Sequence, residues 1–374
     1  MLRETADLTA SVASDRPLVA LTLGDIAGIG PEIVARACIN AEIRLLCRPV
    51  VVGEATILER ALALVGSPAS VRRIEAPSQL NRADQDDERL AVPCWNPLDE
   101  TESAALRAVP LGTLDARAGR AAYEWLVAAT RAALDGSVDA IVTAPLNKAA
   151  LHLAELDYPG HTEILADCCG TPNHAMMLFV PPGDIVRSPR GLGVAHVTLH
   201  TSVASVPGLL STQGILEKIR LVDDFLRQVD VEQPRIGVCA LNPHAGEAGL
   251  FGDEEQRLIA PAVAQAVAEG VTATGPVPAD ALIRRAIGGE FDGVVAMYHD
   301  QGHIPIKLVA RDVAVNITLG LPIVRTSPSH GTAFDIAGQG RASAEGMMEA
   351  IRVAVALARR RCPVPQIGEA PRAR

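Results

Sequence analysis

Aromatic side chains are scarce in this sequence, 3% of 374 residues, so its interior must be filled by the Ala, Val, Leu and Ile that make up most of its 48% hydrophobic content. Such filling suits layered α/β architecture. Basic charge is also in deficit: 34 Lys and Arg against 44 Asp and Glu leave a net charge of −10 with no basic stripe, which excludes a nucleic-acid groove. An anionic ligand must then meet local positive charge, from a metal ion, Lys307 or Arg325. The seven cysteines are odd in number and form no C-x-x-C pair, which excludes a disulfide framework and a cysteine zinc site and points to a reducing cytoplasm. No apolar run reaches the roughly 20 residues of a membrane span, and the first residues lack the apolar core of a signal peptide. There is no internal repeat and no low-complexity linker. The polar ends, residues 1–16 and 362–374, are expected to be disordered tails.

What is present is concentrated. From Ala296 to Gly338 the chain reads Ala-Met-Tyr-His-Asp-Gln-Gly-His-Ile-Pro-Ile-Lys, then Val-Asn-Ile-Thr-Leu-Gly-Leu-Pro-Ile-Val-Arg-Thr-Ser, then His-Gly-Thr-Ala-Phe-Asp-Ile-Ala-Gly, with polar groups set between apolar runs. Val294 to Met297 reads as a buried strand that delivers His299, Asp300, Gln301 and His303 at its carboxyl end. A charge among residues that want burial has to be paired, ligated or in contact with a ligand. Lys307, Asn316 and Arg325 follow on the same terms.

The rest of the chain alternates strand and helix, which reads as a parallel sheet in two lobes sharing a cleft. Pro17 to Leu23 is a strand entering Gly24-Asp25-Ile26-Ala27-Gly28-Ile29-Gly30-Pro31-Glu32-Ile33, where Pro31 opens a helix. The spacing is not that of a dinucleotide fingerprint, so a structural turn is the favoured reading. Residues 77–110, with the acidic run Asp84 to Glu88, form the least regular part and read as a solvated excursion with short edge strands. Thr143 and Lys148 follow a strand end and are candidates of second rank. His161 and Thr162 open a helix whose N-terminus favours anions, although alone they read equally as an N-cap. The run Gly193 to Leu199 is expected to be a strand whose period of two puts His196, Thr198 and His200 on one face. His200, His244 and His299 each follow an apolar strand, and neutral imidazoles suit zinc and similar ions, but no local spacing joins them.

Gly24-Asp25 through Ile33, Gly160-His161-Thr162-Glu163, Asn242-Pro243-His244-Ala245-Gly246-Glu247, Tyr298-His299-Asp300-Gln301-Gly302 and Asn316-Ile317-Thr318 through Arg325-Thr326-Ser327 together resemble the 4-hydroxythreonine-4-phosphate dehydrogenase family of vitamin B6 biosynthesis. They occur in the family's order and span about Leu18 to Ala358. His330 to Gly338 is also similar to the adenosine-binding loop of isopropylmalate and isocitrate dehydrogenases. The resemblance implies their two-lobed, three-layer α/β fold, with the active site in the interlobe cleft. One lobe would hold residues 17–145 and about 310–361, the other about 146–309 with most metal ligands.

The resemblance also implies one divalent metal (Zn, Mg, Co or Mn) on His200, His244 and His299, and substrate contacts at His161, Thr162, Lys307, Asn316 and Arg325. NAD or NADP would lie on His330, Gly331, Thr332, Ala333 and Asp335, with Lys307 or Asp280 as the base. The implied reaction oxidises 4-phosphohydroxy-L-threonine and decarboxylates the product, in a homodimer whose sites are shared between subunits. Ile26 departs from the family's usual proline. Leu308 to Ala314 departs from the family's more aromatic, glycine-rich stretch, and His303 and the run from Ile215 resemble the paralogous branch acting on 4-phospho-D-threonate or 4-phospho-D-erythronate. An aromatic cis-dihydrodiol dehydrogenase and a non-catalytic metabolite-binding protein are further alternatives.

Overall fold

The computed structural model of the chain describes residues 16–80 and 90–360. The expected disordered tails, but for Arg16, and the acidic run Asp84 to Glu88 lie outside the described residues. Twelve strands among the described residues form a single sheet: β1 Leu18–Thr22, β2 Arg48–Val52, β3 Ser70–Ile74, β4 Ala91–Trp95, β5 Ala140–Thr143, β6 Ala175–Val180, β7 Leu192–His196, β8 Arg235–Cys239, β9 Thr272–Val277, β10 Gly293–Ala296, β11 Val315–Leu319 and β12 Arg325–Pro328. Their order is β3-β4-β2-β1-β5-β12-β11-β6-β7-β10-β8-β9. Strands β6, AMMLFV, and β10, GVVA, are apolar throughout, as burial under helices on both faces requires; β1, LVALT, is buried at every position.

The sheet is mixed, which corrects the expectation of parallel strands. β11 pairs antiparallel with both β12 and β6, and β6 pairs antiparallel with β7. Two parallel blocks are thereby joined in opposite senses, one on each side of the β11–β6 pair. The cause lies in the connections. β6 and β7 are joined by a loop opening Pro181-Pro182-Gly183, and β11 and β12 by Gly320 to Val324, neither of which supplies the helix that a parallel crossover needs.

One apolar core runs along both blocks and takes in the helices Ala116–Leu134, Thr212–Gln228 and Glu345–Arg360. A smaller core lies under the helices Ala279–Ile287 and His299–Ala310, around Leu178, Val194, Leu282, Val294 and Ile306. The supposed irregular region 77–110 contributes β4 and a helix, Glu100–Leu106, closed by an Asp99–Glu102 capping box.

β7 stops at His196. The chain stays beside its neighbour only as far as Thr198, whose N–H bonds the Met297 carbonyl at 3.2 Å, because Tyr298 then turns into the helix His299–Ala310. His200 therefore stands on the loop beyond the strand, and the expected shared strand face of His196, Thr198 and His200 does not form.

Candidate active site

Arg325 opens β12 and is 1% exposed. Its Nη2 donates to Thr143 Oγ1 at 2.6 Å and its Nη1 to Thr318 Oγ1 at 3.1 Å, while its Nε is buried without a partner. Burial pulls the guanidinium down to about 9, against a weaker opposing pull from Glu163. A buried cation held by hydroxyls instead of a carboxylate has room for an anion. Register puts Asn316 opposite Ser327, so Asn316 lies on the same sheet face as Arg325, and its Oδ1 too is buried without a partner. His161 begins the helix His161–Cys169 beside this pair. Desolvation first, then the charges of Arg325 and Lys148, hold its imidazole well below the usual range. His161, Asn316 and Arg325, expected as substrate contacts, thus form a cationic cradle, and Thr162 follows His161 in the first turn of its helix.

The second cluster follows β7 and β10. The rings of His200 and His299 lie 6.2 Å apart and line a cavity of about 420 Å³ with Tyr298 and Asp300. His299 Nδ1 and Asp300 Oδ1 are 2.7 Å apart; with the ring neutral, this Nδ1–H donor leaves Nε2 as a free acceptor. The Lys148 ammonium already faces His200 Nε2 at 3.3 Å. These two imidazoles suit a shared divalent cation.

His244 does not join them. It lines a separate cavity of about 640 Å³ with Asp280, Arg284, Asp300 and Gln301, and among the described residues no three His, Cys, Asp or Glu side chains gather as a metal site. One chain therefore assembles two of the three expected ligands. The loop carrying His244 is a left-handed turn in which His244, Ala245, Gly246, Glu247 and Ala248 all have positive φ. Four of these five carry a Cβ, each costing about 1–2 kcal/mol in that conformation, a load found mainly at functional sites. Glu255, 3% exposed on a π-turn, holds the loop: its Oε1 accepts from the N–H groups of Leu241 at 2.9 Å and Asn242 at 2.7 Å, and its Oε2 from Asn242 Nδ2 at 3.0 Å.

The two candidate bases lie away from the cradle. Asp280 shares the cavity of His244. Lys307 is exposed, two turns beyond His299 on the same helix, and its charge is felt by His303. The expected cofactor loop, His330 to Asp335, leaves β12 and is braced by the glycine turn: the Ile29 N–H donates to the Thr332 carbonyl at 2.9 Å, and a Cβ on Gly28 would meet that carbonyl oxygen at 2.6 Å. The turn thus supports the loop by close packing, as a structural turn should.

Behind His299 lie His303, expected in the same cluster, and His196, whose contact with it no motif disclosed. His303 stacks on His299 with ring centroids 3.8 Å apart, and its Nδ1 lies 3.1 Å from His196 Nε2. A Cβ on Gly302 would collide with the His196 ring, so glycine is required there. Desolvation above all holds His196 down to about 4 and His303 down to about 2. Both stay neutral when folded, whereas the unfolded chain takes up their protons near pH 6.5. Their stabilisation is complete above that pH and is lost as pH falls, by up to about 1.4 kcal/mol per pH unit for each. Melting temperatures of chelator-treated protein should fall from pH 7 to 5, and less steeply for His303→Leu. An unchanged slope in that variant would remove His303 from this account.

The family model for "Pyridoxal phosphate biosynthetic protein PdxA" matches residues 45–354. The chain is 44% identical to a 4-hydroxythreonine-4-phosphate dehydrogenase of Geobacter metallireducens, over 92% of this chain and 96% of that one. It is 42% identical to a D-threonate 4-phosphate dehydrogenase of Cupriavidus necator, over 92% and 98%. The crystal structure of 4-hydroxythreonine-4-phosphate dehydrogenase from Klebsiella pneumoniae superposes with a TM-score of 0.78 at 43% identity, covering 91% of this chain and 99% of that one.

Proposed function

The chain belongs to the family of the pyridoxal phosphate biosynthetic protein PdxA, and on that premise we propose that it oxidises and decarboxylates 4-phosphohydroxy-L-threonine, passing hydride to NAD and releasing 3-amino-2-oxopropyl phosphate. It is an oxidoreductase of the dehydrogenase type. The observation that carries the substrate assignment is the buried Arg325, which has hydroxyl partners and an unpartnered Nε beside the unpartnered Asn316 Oδ1. Arg325, with His161 and Thr162 at a helix N-terminus, would hold the phosphate. Asn316 and Lys307 would take the remaining polar groups, and His330, Gly331, Thr332, Ala333 and Asp335 the adenosine part of NAD or NADP. A divalent cation on His200, His244 and His299, such as zinc, magnesium, cobalt or manganese, would acidify the substrate hydroxyl and steady the negative charge that develops. Asp280 or Lys307 would receive the hydroxyl proton.

The active species we infer is a homodimer with shared sites. Val203, Leu250, Phe251, Ile304 and Leu308 are exposed on the segments that carry His200, His244 and His299, an apolar surface that a second copy would cover. As lobes we propose 17–145 with about 310–361, and about 146–309, which divides the sheet between β11 and β6. Among the described residues Cys38, Cys47, Cys94 and Cys239 are buried thiols outside any disulfide, which fits a reducing cytoplasm.

The same cradle would accept 4-phospho-D-threonate or 4-phospho-D-erythronate, and a relative at 42% identity bears the name D-threonate 4-phosphate dehydrogenase. These acids differ from the first at carbon 2, a hydroxyl for an amino group. NADH formation by purified protein with a divalent metal, compared across the three acids, separates these readings. The highest kcat/KM is expected with the amino acid. A sugar acid preferred by tenfold or more would move the protein to sugar-acid catabolism, and silence with all three would overturn the proposal.

A further inference from the structure

We propose that Lys148 contacts the substrate, its ammonium donating to the oxygen on the carbon that is oxidised. This rests on the reaction inferred above and adds a residue to it. Lys148 opens the helix Lys148–Leu153, and its backbone is fixed by Asn147, whose Oδ1 accepts from the N–H groups of Ala149 at 2.9 Å and Ala150 at 3.2 Å. From there its side chain runs past Gly160, where an added Cβ would lie 3.6 Å from Lys148 Cε, so the stem packs on the N-cap of the helix bearing His161 and Thr162. Its Nζ ends 3.3 Å from His200 Nε2. The ammonium thus stands between the cradle of Arg325 and His161 on one side and the His200–His299 pair on the other. A four-carbon acid with phosphate in the cradle would lay its middle carbons there. Lys307 and Asp280 have no comparable position in one chain, since the first is exposed along the helix His299–Ala310 and the second lines the cavity of His244.

The chemistry asks for such a donor. Hydride leaves carbon 3 for the nicotinamide, the hydroxyl proton goes to the base, and carbon 3 becomes a ketone. The bond between carbons 1 and 2 then breaks, carbon dioxide departs, and the electron pair forms an enolate whose negative oxygen was the ketone. An ammonium held at that oxygen favours the charge developing in the transition state.

The test compares wild type with Lys148→Met and Lys148→Arg, on whichever acid wild type oxidises, with inorganic phosphate as a competitive inhibitor and the melting temperature as a check on folding. The expected result for Lys148→Met is a kcat reduced on the order of 100-fold, with phosphate inhibition changed less than about threefold. Lys148→Arg should regain about tenfold of that loss, because the charge is restored and the geometry is not. A kcat within about threefold of wild type in Lys148→Met overturns the proposal alone, as does phosphate inhibition weakened in step with kcat, which would make Lys148 part of the cradle. Wild type inactive on every acid overturns the functional reading and this proposal with it.

Discussion

Arg325→Met should lower kcat/KM for the phosphorylated substrate on the order of 1000-fold, about 4 kcal/mol of transition-state binding, while the melting temperature moves by only a few degrees. The two halves of that expectation come from the same contacts. Arg325 is buried with Thr143 and Thr318 hydroxyls for partners and an Nε that donates to nothing among the described residues. A guanidinium so placed contributes little to folding, because its desolvation is not offset by a carboxylate, and an apolar side chain of similar length can replace it near neutrally. Its worth appears when an anion arrives, as a charge-assisted bond in a dry site. Arg325→Lys should recover little, since an ammonium cannot reach both Thr hydroxyls and an anion in one planar fork. Steady-state kinetics beside thermal melts decide the matter. A variant with unchanged KM and kcat would remove Arg325 from the site, and one that fails to fold would make it a structural residue.

The sequence made this half of the site legible because its parts are local to motifs. His161 and Thr162 open a helix, and Arg325 sits in an apolar run where a charge has no business unless it meets a partner. The partners themselves were not legible. Thr143 is 182 residues from Arg325, Lys148 is 52 from His200 and Glu255 is 14 from Leu241, contacts that only the fold creates. Local period also misled where the neighbouring strand ends early: the alternation through His200 was sound as pattern, yet β10 closes at Ala296 and leaves His200 no strand to pair with. The direction of β6 and β11 was legible in principle. The Pro181-Pro182-Gly183 loop and the short Gly320 to Val324 link could not hold crossover helices, and alternation elsewhere had set the expectation. His303 carried only a weak signal, one more polar residue in a dense motif. Its stacking on His299 depends on helical spacing of four residues, which brings the two rings onto one face.

On the proposed homodimer with shared sites, mixing two inactive variants, His244→Ala and His299→Ala, should restore activity to about a quarter of wild type, because random pairing would make about half of the dimers hybrid and each hybrid would have one intact site of two. The geometry behind this is the division of the histidines. His200 and His299 face each other at 6.2 Å in one cavity, while His244 opens into another, with Tyr298 and Asp300 lining both. If the third ligand comes from the second copy, a site consists of His200 and His299 of one chain and His244 of the other. In the hybrid, the chain with alanine at 244 keeps its own His200 and His299 and receives His244 from its partner. The other site has lost both residues and stays silent. The control is the pair His200→Ala and His299→Ala, where every site of the hybrid lacks one member of the facing pair and no activity should return. The measurement is NADH formation after the two variants are unfolded together and refolded, against each refolded alone. No recovery in the first mixture would place all three histidines in one chain, and recovery in the control would separate His200 from His299. The apolar residues Val203, Leu250, Ile304 and Leu308, each more than half exposed, tie the experiment to the surface itself. If the proposed homodimer forms there, charged replacements at Leu250 and Leu308 should dissociate it and abolish activity together, since a chain left alone brings only two of the three donors together.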